Sequence, residues 1–85
     1  MVYLALTRQG YDELIAQRGS PSALWVNDGV LSDSELLKLR EAGVEVTNFV
    51  RSIDPHDVSA IEQAIFTVQE HHSGQRVWVE YAPDL

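Results

Sequence analysis

Four short apolar runs alternate along the chain with three segments whose apolar residues recur at helical spacing. The first run, "VYLALT" (Val2–Thr7), and the second, "ALWVN" (Ala23–Asn27), are almost continuously apolar, as a strand covered on both faces must be. The third, "VEVTNFV" (Val44–Val50), sets Val44, Val46, Asn48 and Val50 against Glu45, Thr47 and Phe49. The fourth, "RVWVEYA" (Arg76–Ala82), sets Val77, Val79 and Tyr81 against Arg76, Trp78 and Glu80. A period of two marks strands half exposed to water, so these two belong at the edges of a sheet.

The helical segments are bounded by capping chemistry. Thr7 is placed to cap a first helix carrying Tyr11, Leu14 and Ile15 on one face, with Gly19 and Pro21 ending it. Ser32 and Glu35 have the spacing of a capping box, and Leu31 with Leu36 that of a hydrophobic staple, for a second helix ending at Gly43. The third helix is expected from Asp54 to His72, ending at Ser73-Gly74, with Val58, Ile61, Ile65 and Val68 as its buried stripe. In "DPHD", Asp54 is then the N-cap, Pro55 falls at the first helical position, and both aspartates complement the helix dipole.

The order β-α-β-α-β-α-β implies an α/β fold with a mostly parallel sheet and right-handed crossovers. Placing the continuously apolar strands in the middle gives the spatial order 3-2-1-4. Two helices then lie on one face and one on the other. A single helix is too narrow for four strands, so part of its face is expected to stand open.

Composition narrows the chemistry. Eighty-five residues fit one domain, and the 45% hydrophobic content is that of a folded chain. With no cysteine, disulfides, thiolate zinc sites and cysteine nucleophiles are excluded. The net charge of −7 and six scattered basic residues oppose both phosphate backbones and anionic lipid. Neither nucleic acid nor membrane is therefore expected as a partner. No apolar run approaches the roughly 20 residues that span a bilayer, and no basic leader precedes one, so a cytoplasmic location is expected.

Candidate polar sites lie where the strands end, the edge at which open α/β sheets place their ligands. Arg8 follows the first strand, Asp28 the second and Arg51 the third, with His56 entering the last helix. Two arginines beside helix N-termini are suited to a small anion, with Asp28 or His56 as acid–base groups. The structural alternative is that the arginines offset Asp28, Asp54 and Asp57 on the same rim. The first turn, "LTRQGYDEL", has one glycine and matches neither phosphate-loop pattern, and no serine elbow is present. Receiver-domain chemistry is also missing: Thr7-Arg8 replaces the acidic pair, and Asn48-Phe49-Val50 replaces the phospho-acceptor. Adjacent His71 and His72 diverge by about 100° on a helix, and His56 is some 20 Å away at the other end, so the histidines form no single metal site.

The stretch "ALWVNDGVLSDSELLKLREAGVEVTNF", about a third of the chain, resembles the middle of small sulfur-relay proteins of the DsrE/DsrH type. Sulfur carriage in that family uses cysteine. Without one, the resemblance implies at most a non-catalytic subunit.

An apolar anomaly completes the reading. Phe66 projects about 100° or more from the centre of the third helix's stripe, among Ser59, Glu62, Gln63 and Glu70. If it joins Phe49 and Trp78 of the edge strands, the three form a patch for a second copy or another protein. The expected function is a non-enzymatic interaction or regulatory module that uses a protein partner or self-association, with no cofactor and no metal. The alternative is a small anion- or ligand-binding protein, or an enzyme, using the rim of Arg8, Asp28, Arg51 and His56.

Overall fold

A computed structural model describes residues 1–19 and 21–80. Along the chain lie β1 (Val2–Ala5), α1 (Arg8–Arg18), β2 (Ala23–Val26), α2 (Asp33–Glu41), β3 (Glu45–Asn48), α3 (Val58–His71) and β4 (Val77–Val79). The four strands form one parallel sheet in the order β3-β2-β1-β4. This is the order that the apolar pattern implies, with the continuously apolar strands in the centre. Tyr81 and Ala82, which end the fourth apolar run, lie outside the described residues. No described helix is long and apolar enough to cross a membrane.

The pleat sends alternate residues to two separate cores. Ala5, Leu24, Val26, Val44 and Val46 meet Leu31 and Leu36 under α1 and α2. Val2, Leu4, Ala23, Trp25, Val77 and Val79 meet Ile61, Ala64, Ile65 and Val68 of α3. Thr7 Oγ1 accepts from Gly10 N at the start of α1. The Ser32–Glu35 capping box is complete, and Leu31 and Leu36 are buried in the same core.

The third helix begins one turn later than its sequence suggests. Asp57 is the N-cap, accepting from Ala60 N, while Asp54 Oδ1 accepts from His56 N and Asp57 N donates to Asp54 O. Asp54-Pro55-His56-Asp57 is therefore a tight turn before the helix, with Pro55 at the second turn position that its fixed φ favours. Both aspartates can cap, and only packing selects between them. The delay corrects a second expectation. Val58 becomes the first helical residue, beyond the covered part of the sheet, and is 68% exposed, while Ala64 joins the buried stripe at 5%.

Candidate functional site

Successive strands are added in one direction from β1 to β3, and β4 is added on the other side of β1, so the strand order reverses between β1 and β4. Such a switch point is where open α/β sheets leave a ligand crevice. Here the crevice is occupied by the protein's own Glu80, which follows β4. Its carboxylate accepts from Leu6 N at 2.7 Å, Thr7 N at 2.9 Å and Thr7 Oγ1 at 2.5 Å. Gly10 makes this approach possible, since a Cβ there would lie 2.0 Å from Glu80 Cδ. Two backbone donors and one hydroxyl of the β1–α1 turn that could hold an external anion are thus satisfied from within.

The rim residues are dispersed rather than convergent. Arg8 donates to both carboxylate oxygens of Glu35, at 2.8 and 3.0 Å, to Asp12 and to Val30 O. The hydrogen bond and charge of Glu35 raise the Arg8 pKa above its usual value. Glu35 is lowered in turn, first by its bond from Ser32 N and then by Arg8. Arg8 therefore lies on the α2 side of the sheet. Arg51 lies on the α3 side, two strands away, and among the described residues it has no ion pair. Asp28 accepts from Asn48 Nδ2 at 3.3 Å, and His56 stands exposed at the Asp54 turn. Asn27, the polar residue that closes the apolar run of β2, is 4% exposed and joins three segments. Its amide donates to Leu6 O and Ile53 O and accepts from Ile53 N. Among the described residues, no three carboxylate or histidine side chains gather into a metal site.

The open surface lies elsewhere. The helix α3 packs over β1 and β4, reaching Val77 and Val79, and so leaves the β3 side of its face uncovered. Between α3 and the end of β3 runs a groove of about 570 Å³, within the roughly 300–1,000 Å³ of ligand pockets. Trp25, Phe49, Ile53, Ala60 and Ala64 form its apolar lining, with Gln63 and Thr67 on the helix wall and Arg51 and His71 at the rim. Trp25 is fixed in place: its Nε1 donates to His72 Nε2 at 3.0 Å, and its ring lies 5.2 Å from Phe49 and 5.3 Å from His71. Such tilted pairs add to burial. Asn48 at the mouth carries an amide oxygen that is buried without a hydrogen-bond partner among the described residues.

The three aromatic residues singled out in the sequence occupy different surfaces. Phe49 is half-buried against Trp25 in the groove. Trp78 is on the opposite face of the sheet, 43% exposed, with Arg18 of α1 5.5 Å above its ring. Phe66 is 64% exposed and lies about 160° around α3 from Val68, facing solvent. The contiguous patch of all three is thus not formed. Phe49 and Phe66 share the α3 side, one in the groove and one on the outer face of its helix wall. The sequence signal that could have located the groove is the polar row Glu45 and Thr47 ending in Phe49, on the strand farthest from α3.

Compared with known proteins, the chain matches no family model, no curated sequence and no solved structure.

Proposed function

We propose that this chain is a non-enzymatic interaction module whose binding surface is the α3 side, centred on the groove between α3 and β3. The observation that carries this reading is the open apolar recess between α3 and the end of β3, in which Phe49 and Ala60 are half-buried and Val50 is exposed, beside an exposed Phe66. An apolar recess bordered by polar groups is the usual form of a recognition surface. The strand-end rim makes a weaker case, because Arg8 is committed to Glu35 and Asp12 and Glu80 fills the switch-point crevice.

A photo-reactive side chain placed at Gln63, on the groove wall, tests the reading in living cells. One discrete adduct is expected from position 63, none from Lys38 on α2, and loss of the adduct when Thr67→Arg obstructs the groove. The same adducts from both positions, or none from Gln63, would refute the reading.

A further inference from the structure

Thirteen of the 85 residues are acidic, yet none of the residues lining the groove is. Its charged or chargeable members are Arg51, exposed and without an ion pair among the described residues, and His71. The chemistry that complements such a recess is an apolar side chain flanked by carboxylates. The same helix carries that combination on its outer face. Phe66 is 64% exposed, and Glu62 and Glu70, both exposed, lie one turn before it and one turn after.

We propose that the occupant of the groove is a second copy of this chain, whose Phe66 enters it through a two-fold α3–α3 pairing. This rests on the interaction reading above and names the partner. The geometry favours mutual exchange. Gln63 and Thr67 form the helix wall of the groove and lie within about 100° of Phe66 around α3. Two antiparallel copies of α3 crossing near Phe66 each present that residue to the other's recess. Glu62 and Glu70 then face the partner's Arg51 and His71. Every contact occurs twice, so the assembly closes at two copies. Two acidic chains repel at long range, but at physiological ionic strength that repulsion is screened beyond about 8 Å, whereas groups in contact are screened much less.

Sedimentation equilibrium of the purified chain over a wide concentration range is the test, with circular dichroism confirming that each variant is folded. The wild-type chain is expected to dimerise. Phe66→Glu should weaken the dimer by more than about a hundredfold, as loss of a central aromatic anchor does, and Arg51→Glu by about tenfold. A charge exchange gives the sharper readout. Arg51→Glu alone and the double variant E62R/E70R alone each place like charges across the interface, whereas their mixture restores opposite charges at both halves. The two variants should therefore pair with each other in preference to themselves. A wild-type chain that stays monomeric overturns the proposal, and a discrete adduct at Gln63 in cells would then leave the interaction reading standing with another occupant. A dimer indifferent to Phe66→Glu and Arg51→Glu overturns it equally, because it must use another face.

Discussion

The crevice between β1 and β4 and the groove between β3 and α3 are both concavities of the same parallel sheet, yet the chain treats them oppositely. In the first, Glu80 reaches across from the end of β4 and satisfies Leu6 N, Thr7 N and Thr7 Oγ1. In the second, the recess stays open, with buried Trp25 and Ala64, half-buried Phe49 and exposed Val50 along it. The rule that ligands lie at the switch point therefore identifies the place this protein fills itself. The open surface arises from a simpler cause. One helix covers two to three strands, and α3, seated over β1 and β4, leaves β3 without cover. The crevice is thus a structural joint, whereas Gln63 and Thr67 on the helix wall of the groove carry little of the stability.

The largest expected effect is at Asn27, which links the two regions. Asn27→Ala leaves Leu6 O, Ile53 O and Ile53 N without their partner in a buried place, and should cost about 3 kcal/mol or more. Urea denaturation measures it, and a cost below about 1 kcal/mol would show that the junction is not tied as described. Next comes the Gly10–Glu80 pair. In a helix, Gly→Ala ordinarily stabilises by about 1 kcal/mol. Here Gly10→Ala displaces a carboxylate that accepts three hydrogen bonds, and should destabilise by about 1–2 kcal/mol net. In a Glu80→Ala background the sign should reverse, which a double-mutant cycle detects. Additive effects would break the comparison at its closed end.

Smaller effects belong to the open end and the rim. Gln63→Arg on the groove wall should leave stability within about 0.5 kcal/mol of the parent, since its side chain is exposed and supports no core residue. A larger loss in thermal melts would mean that the groove wall is structural. Least of all, Glu35→Gln should lower the melting temperature at neutral pH only. The Glu35 pKa is depressed in the fold. Its contribution is therefore present above the ordinary carboxylate range and is lost as pH falls through the depressed value. Melts of parent and variant should converge in acid. A gap unchanged between neutral and acidic pH would detach Arg8 from the role described.

Several features of the site were legible in the residues themselves. Thr7, Ser32 with Glu35, and Leu31 with Leu36 cap their helices as their spacing requires. The under-covered face followed from counting helices against strands. Other features were not. Asp54 and Asp57 are equally good caps in sequence, and the choice between them decided that Val58 stays in solvent. Glu80 read as the polar member of an alternating strand, although its partners are 73 and 74 positions away. Trp25 read as central-strand filling, and its bond to His72 spans 47 positions.

The sequence by itself determined the order of strands and helices, which strands are central and which are edges, and where the first two helices begin. These follow from burial periodicity and from the few residues that can satisfy a helix end, and both are local properties of the chain. Tertiary structure alone decided that Glu80 closes the crevice, that Arg8 is committed to Glu35, and that α3 sits to one side and leaves the groove. The first two join residues 73 to 74 and 27 positions apart in the chain, and the third rests on where α3 is seated across the sheet. Strands lie only about 4.8 Å apart, so a small lateral difference in the seat of α3 decides which strand is covered, and no residue pattern along the chain encodes it.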